Sequence, residues 1–313
     1  MRYTINGKII PPIAVGTWSW GSGYNGSKMV FGAKADLNSL RESCYTAYES
    51  GFTLFDTAYV YGMGNSERLL ADFSKGKDII LSDKFTPISK YSAKKIDKML
   101  NSSTETFGGR IPDIYWLHQP KDVEDNLAYL CKLQKQNKIG SIGVSNFNFE
   151  QLKLADEVLK SNNCMLSGVQ NHLSLLYRES DNNGVLDWCK INNIPFFAYM
   201  VLEQGALTGK YSVKNPLPMF SRRGRAFNKK RLVQIEPLIS ELENTGKNHG
   251  LSISETASAY AIAKGTIPII GITKKYQAEA LVKIARTQLS ADEVYQLEKA
   301  ADETGIKVKA GWE

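Results

Sequence analysis

The 313-residue chain is 42% hydrophobic and 23% charged, an ordinary globular balance that excludes a disordered, collagenous or coiled-coil polypeptide. Its four cysteines (Cys44, Cys131, Cys164, Cys189) are scattered without a C-x-x-C pair, and so long a chain needs no disulfide staple, so they read as free, mostly buried thiols. The net charge of +7 is local, because Arg222, Arg223, Arg225, Lys229, Lys230 and Arg231 account for six of the positive charges.

That basic cluster leaves open a solvated, flexible loop or a loop that steers phosphate toward a cofactor; sparse aromatic residues weigh against nucleic acid as a partner. No apolar run approaches the roughly 20 residues of a membrane span, and the first residues lack a charged segment followed by a long apolar one, so the expected location is cytoplasmic.

In chain order, Tyr3 to Ile10 places Asn6-Gly7 between two short apolar segments, a hairpin signal, and Pro11-Pro12 then breaks the sheet pattern, so this hairpin is expected as a cap. Short β-branched runs follow at Ile13 to Thr17, Phe52 to Asp56, Asp78 to Lys84, Asp113 to His118, Lys138 to Ser145, Gly168 to Gln170, Pro195 to Tyr199 and Thr266 to Gly271. Amphipathic stretches long enough for helices separate them, beginning with Leu37 to Ser50. Asp56, Lys84, His118, Ser145, Gln170 and Tyr199 end successive runs at separations of 28, 34, 27, 25 and 29 residues, about one strand-helix unit each.

This regularity predicts a closed α/β fold, a (β/α)8 TIM barrel in a single domain over residues 1–313. The spacing stretches to 72 residues between Tyr199 and Gly271. A long insertion between the seventh and eighth strands is therefore expected, holding the basic cluster and helices at Val233 to Gly250 and Ser254 to Lys264, with a last helix over Ser290 to Thr304.

A barrel strand buried on both faces should be apolar throughout, so a chargeable last residue is out of place unless it serves the C-terminal rim, where active sites of this fold lie. Asp56, Lys84 and His118 hold that position on three consecutive strands, and Tyr61 follows Asp56 closely enough to turn back over the same rim. Singly, each is as readily a loop ion pair or a packing residue; the recurrence at one rim carries the inference. A lysine ammonium touching a phenol favours the phenolate and so makes Tyr61 a usable acid near neutral pH, while Asp56 keeps Lys84 charged in a closed pocket and His118 donates to a carbonyl oxygen. Such a group suits proton delivery to an oxyanion as hydride reaches carbon, with a nicotinamide as reductant.

Competing signals are set aside on their context. Gly21 to Gly26 fits G-x-G-x-x-G, but Ser27 to Asp36 lacks an apolar helical stripe, so a substrate-side loop is preferred to a Rossmann turn. His118, His172 and His249 have no metal-ligand spacing, so no metal is expected. His172 is expected to bond locally, Trp116 to pack inside the barrel, and Trp18 to wall the substrate site. An unrelated barrel hydrolase or lyase would need paired carboxylates or a metal cluster at the rim.

Ordered motifs over nearly the whole chain resemble the aldo-keto reductase family: Gly16-Thr17-Trp18; Phe52 to Gly62 with Asn65-Ser66-Glu67; Lys84; Ile114 to His118; Ile142 to Phe147; and Gln204 to Tyr211. The resemblance implies an NADP(H)-dependent enzyme that reduces an aldehyde or ketone to an alcohol, with Asp56, Tyr61, Lys84 and His118 as its catalytic set and Trp18, Tyr61 and His118 facing a small carbonyl substrate. It implies that the cofactor touches Gly16, Thr17, Trp18 and Asp56, that Ser145, Asn146 and Gln170 hold its carboxamide, and that Tyr199 stacks on the nicotinamide. Leu202, Gln204, Gly205 and Leu207 would follow the pyrophosphate, and Gly271, Thr273, Lys274 and Gln277 the adenosine end. The pattern departs at Thr273, Leu281 and Met200, where the family often carries a basic residue, an Asn and a Ser. NAD(H) therefore stays open, and Lys274, Lys275 or an arginine of the 222 to 231 cluster would have to meet a 2′-phosphate. A redox-sensing regulatory subunit with the same fold is the alternative to an enzyme.

Overall fold

The computed structural model describes residues 3–32 and 35–309. It opens with an antiparallel hairpin, β1 (Thr4–Ile5) and β2 (Lys8–Ile9), whose turn residues Asn6 and Gly7 both have positive φ, as a two-residue hairpin requires. Eight parallel strands follow: β3 (Ala14–Gly16), β4 (Leu54–Asp56), β5 (Ile80–Phe85), β6 (Ile114–Leu117), β7 (Ser141–Ser145), β8 (Leu166–His172), β9 (Phe196–Tyr199) and β10 (Ile267–Gly271). They pair in sequence order, and β10 closes on β3 through Gly271 opposite Gly16, giving the expected (β/α)8 TIM barrel.

The helices are α1 (Ser27–Phe31), α2 (Leu37–Glu49), α3 (Asn65–Phe73), α4 (Ala93–Thr106), α5 (Val123–Lys135), α6 (Phe149–Ser161), α7 (Glu179–Asn182), α8 (Val185–Ile191), α9 (Arg222–Ala226), α10 (Lys229–Gln234), α11 (Glu236–His249), α12 (Ile253–Ala263), α13 (Lys275–Arg286) and α14 (Ala291–Glu303). Local chemistry sets their ends. Asn148 with Gln151, Ser252 with Glu255 and Ser290 with Glu293 form capping boxes at α6, α12 and α14, each cap contributing about 1 kcal/mol. No helix among the described residues is long and apolar enough to cross a membrane, and all four cysteines are free and buried.

Alternation along each strand divides the side chains into two layers. Ala14, Leu54, Ile80, Ile114, Trp116, Phe197 and Ile267 fill the barrel interior, closed from below by Ile5 and Ile10 of the hairpin. Intervening residues such as Phe55, Leu81, Tyr115 and Val144 pack outward against the helices. Trp116 sits inside as expected, and two glycines make room for it: a Cβ at Gly143 would lie 2.3 Å from the indole, and one at Gly168 2.8 Å.

Two segments differ from expectation. The basic cluster is no flexible loop, since it folds into α9 and α10, capped by Ser221 and Asn228, and α9 packs on α1. Ser27–Phe31, without an apolar stripe, is helical all the same, and it ends at Gly32 in the left-handed region. Tertiary contact with α9 decides both, as it does for most helices too short to persist alone.

Candidate active site

The rim residues converge. Asp56 ends β4, Lys84 lies on β5, and His118 follows β6 directly; all point inward by strand parity and are at most 3% exposed. Tyr61 is folded back over them by a turn in which its amide donates to Ala58 O and its carbonyl accepts from Ser66 N.

Asp56 is the hub. One carboxylate oxygen accepts from Lys84 Nζ at 2.5 Å; the other accepts from Ser82 Oγ at 2.7 Å and from Gln170 Nε2 at 3.0 Å. Lys84 Nζ also donates to Thr57 O at 2.7 Å. Burial lowers the Lys84 ammonium, and the adjoining Asp56 opposes that shift. A buried ammonium with these partners is tolerable, whereas one alone is not.

Lys84 also lies beside the phenol. Its Nζ lies 5.1 Å from the Tyr61 ring centroid, with its contacts given to Asp56 and Thr57. Burial first, and then the Asp56 charge, raise the Tyr61 phenol well above its ordinary value, so the ring is a neutral acid throughout the neutral range. Burial and the Lys84 charge lower His118 well below its ordinary value, leaving a neutral imidazole whose Nδ1 shares a 2.7 Å hydrogen bond with Thr86 Oγ1. Trp18 stacks on Tyr61 with ring centroids 5.8 Å apart, and Tyr61 meets the His118 edge at 6.4 Å.

An elongated cavity of about 720 Å3 runs from this cluster, a size that takes a ligand larger than a simple carbonyl compound. Gly16, Thr17, Trp18, Asp56, Tyr61, His118, Gln170 and Tyr199 line it, together with Leu202, Gln204 and Gly205 and with Gly271, Thr273, Lys274 and Gln277. Lys84, Ser145, Asn146 and Leu207 stand behind the wall. Ser145 is fully buried, Leu207 packs in the core, and the Asn146 amide is committed on both sides, donating to His118 O at 2.8 Å and accepting from Tyr199 Oη at 2.5 Å. Lys274 Nζ donates to Ser39 Oγ, and Lys275 faces Glu42.

Several lining residues escaped the sequence reading. Lys210, Tyr211, Arg223, Ser252, Ser254 and Ser258 also line the cavity. Arg223 is wedged between Phe31 and Tyr211, its Cζ 5.9 and 5.1 Å from their ring centroids, and donates to Gln204 O. Its position in a basic run was the only available signal, and that run did not say which arginine turns inward.

Met200, Glu203, Gln204 and Gly205 all have positive φ, a concentration of left-handed backbone that marks a shaped loop. A buried network anchors it. His172 Nε2 and Glu203 Oε1 are 2.7 Å apart, Ser174 Oγ donates to the same oxygen, and the His172 ring stacks between Tyr177 and Tyr199. His172 therefore bonds locally, as expected, but to a carboxylate from the following loop.

A model of the aldo/keto reductase family matches residues 12–302. Pyridoxal reductase of Arabidopsis thaliana chloroplasts is 29% identical, the alignment covering 94% of this chain and 84% of that protein. The Bacillus subtilis aldo-keto reductase YhdN is 27% identical over 90% and 87%. Among solved structures, a Gluconobacter oxydans glycerol dehydrogenase superposes with a TM-score of 0.82 at 22% identity, covering 98% of this chain and 97% of that one. A Klebsiella pneumoniae aldo/keto reductase, solved with NADP and acetate, gives 0.74 at 18% identity over 99% and 98%. With its barrel and a family match spanning nearly its full length, the chain belongs to the aldo/keto reductase family of oxidoreductases.

Proposed function

We propose that the chain reduces an aldehyde or ketone to an alcohol, using a nicotinamide dinucleotide bound along the cavity, NADP(H) in preference to NAD(H). The observation that carries this reading is a neutral phenol, Tyr61, beside a neutral imidazole, His118, over a fully buried Lys84–Asp56 pair. The residues present suit a dinucleotide: Gln204 Oε1 and Arg223 Nε are buried with no hydrogen-bond partner among the described residues, and both residues line the cavity, where a polar ligand would satisfy them. The Klebsiella relative solved with NADP supports the same choice, and the name of the Arabidopsis relative supports a carbonyl substrate.

When bound, the nicotinamide supplies the hydride. The carbonyl oxygen is oriented by His118, whose Nδ1 shares its hydrogen bond with Thr86 Oγ1; in the tautomer in which Thr86 donates, Nε2 carries the proton that the carbonyl oxygen accepts. Tyr61 transfers its hydroxyl proton to that oxygen as negative charge develops, and the Lys84 ammonium near the ring stabilises the phenolate left behind. Asp56 keeps the lysine charged, and Ser82 and Gln170 fix the carboxylate.

The test follows NADPH consumption with a simple aldehyde. Tyr61→Phe should lower kcat about 10²- to 10⁴-fold without loss of NADPH binding; reduction at the wild-type rate would remove Tyr61 as the acid. We assign Lys274, which lines the cavity, to a 2′-phosphate, so Lys274→Ala should weaken NADPH more than NADH, and equal weakening would reject that assignment.

A further inference from the structure

Two carboxyls are buried together behind the active-site rim, in the layer between the barrel and its helices. Asp83 lies on β5 between Ser82 and Lys84, Glu67 lies in the first turn of α3, and each is 1% exposed. Ser103 of α4 donates to Asp83 Oδ2 at 2.5 Å, and the same hydroxyl is within hydrogen-bonding reach of the Glu67 carboxyl. Tyr115 is paired with Asp83 across β5 and β6, so the two side chains share a face. Among the described residues, Glu67 Oε1, Asp83 Oδ1 and Tyr115 Oη are buried without a hydrogen-bond partner. The remaining charges near the pair are Arg68, which is exposed on the same helix as Glu67, and Lys84, which gives its contacts to Asp56 and Thr57.

A serine hydroxyl has one proton to donate. With that proton on Asp83, a bridge through Ser103 requires the Glu67 carboxyl to be the protonated partner, donating to Ser103 Oγ. Mutual repulsion in a dry layer gives the same answer, because two carboxylates there cannot both ionise cheaply. Burial and the Asp83 charge accordingly raise Glu67 to about 8.

The Glu67 carboxyl also packs on the turn that carries Tyr61. A Cβ on Gly64 would lie 3.4 Å from Glu67 Oε2. Around it, Gly64 N donates to Tyr59 O at 2.6 Å, Asn65 N to Gly62 O at 3.2 Å and Ser66 N to Tyr61 O at 3.2 Å. Ser66 Oγ donates to Thr17 O at 2.6 Å, which ties the same helical turn to the end of β3. The first turn of α3 thus clamps the Tyr61 loop, and Glu67, Ser103 and Asp83 join that turn to α4 and β5.

We propose that Glu67 is a positioning residue for Tyr61: protonated and bonded to Ser103, it seats the first turn of α3 against β5 and so holds the phenol over the rim, and loss of that proton unseats the turn. The inference rests on the reading of Tyr61 as the acid of a carbonyl reductase.

The experiment follows kcat with a simple aldehyde, and NADPH affinity by tryptophan quenching, between pH 7 and pH 9 with the full chain. Wild-type kcat should fall about tenfold, the loss expected when a group that titrates near 8 must keep its proton, while NADPH affinity stays within about twofold. Glu67→Gln cannot ionise and still donates to Ser103, so it should flatten the profile; a merely structural Glu67 would leave the variant's profile parallel to that of wild type. A fall that survives in Glu67→Gln, or a wild type whose kcat does not fall, overturns the proposal. Hydrogen exchange over residues 58–70 of wild type needs neither a variant nor turnover. Corrected for the intrinsic rise with pH, protection there should drop about tenfold between pH 7 and pH 9, and constant protection overturns the seating. Protection lost with pH in a protein that reduces no aldehyde keeps Glu67 as the seat of the turn and removes the reductase reading.

Discussion

Replacing Asp56 with Asn tests the hub of the site. The substitution keeps the shape and still accepts from Ser82, but it turns an amide toward Lys84 Nζ where a carboxylate oxygen stood at 2.5 Å. Lys84 is fully buried and, among the described residues, retains Thr57 O as its acceptor. The least costly outcome is a neutral amine accepting from the new amide. Holding neutral a lysine that titrates near 10.4 in the unfolded chain costs about 1.36 kcal/mol per pH unit below that value, or about 4.6 kcal/mol at pH 7. For 313 residues that corresponds to a fall in Tm on the order of 7 °C. A lysine whose folded pKa is depressed destabilises most at low pH, and the penalty fades as pH rises toward the unfolded value. The deficit of Asp56→Asn should therefore shrink by as much as about 2.7 kcal/mol between pH 7 and pH 9. Thermal unfolding of both proteins at the two pH values reads this directly. A deficit that stays constant refutes the claim that Asp56 acts by keeping Lys84 charged.

Three further outcomes follow from particular contacts. Gly143→Ala should displace the Trp116 indole, break its 2.7 Å hydrogen bond to Ser82 Oγ and cost about 1–3 kcal/mol, seen as a lower Tm with a changed near-ultraviolet tryptophan signal; an unchanged Tm would mean the strand yields instead. Burial and the nearby Asp83 push Glu67 up to about 8, above its unfolded value near 4.3, so its contribution to stability is present at low pH and is lost as pH rises toward 8. Glu67→Gln should flatten the fall in urea midpoint between pH 5 and pH 8, and a profile identical to wild type would contradict that assignment. Glu203→Ala leaves His172 Nε2 and Ser174 Oγ without their shared acceptor, at about 1–3 kcal/mol, and frees the left-handed loop around Gln204. It should raise the KM for NADPH more than it lowers kcat, with partial rescue by Glu203→Gln; equal effects on both would make the network merely structural.

What was legible in the sequence was whatever periodicity carries. The barrel, its hairpin and the inward convergence of Asp56, Lys84 and His118 follow from strand-end spacing, because a residue's parity on a strand dictates its layer. Contacts across sequence distance were not legible. Gln170 and Asp56 are 114 residues apart, and nothing in either segment announces that the amide would be spent on the carboxylate. The wedging of Arg223 between Phe31 and Tyr211 depends on the packing of α9 against α1, two helices of five residues whose local preferences are too weak to be read alone. Nor was the effect of burial and of the Asp56 charge on the Tyr61 phenol legible, since both depend on how the loop folds back over the rim.

Parity also separates two polar systems that share β5. Ser82 and Lys84 point inward and serve Asp56, while Asp83 between them points outward, accepts from Ser103 Oγ at 2.5 Å and is pushed up to about 6 by burial. Glu67 of α3 adds a second buried carboxyl to this outer layer, and Glu67 Oε1, Asp83 Oδ1 and Tyr115 Oη have no hydrogen-bond partner among the described residues. Both systems titrate through burial, yet in opposite directions: the outer carboxyls are raised and the inner lysine is lowered. Their linkages to pH are opposed as well. The raised outer acids withdraw stability as pH rises, whereas the lysine's burial penalty is relieved by the same rise. A pH profile of stability in this protein is thus a difference between layers one residue apart, and only paired substitutions, Glu67→Gln outside and Asp56→Asn inside, resolve it into its two sources.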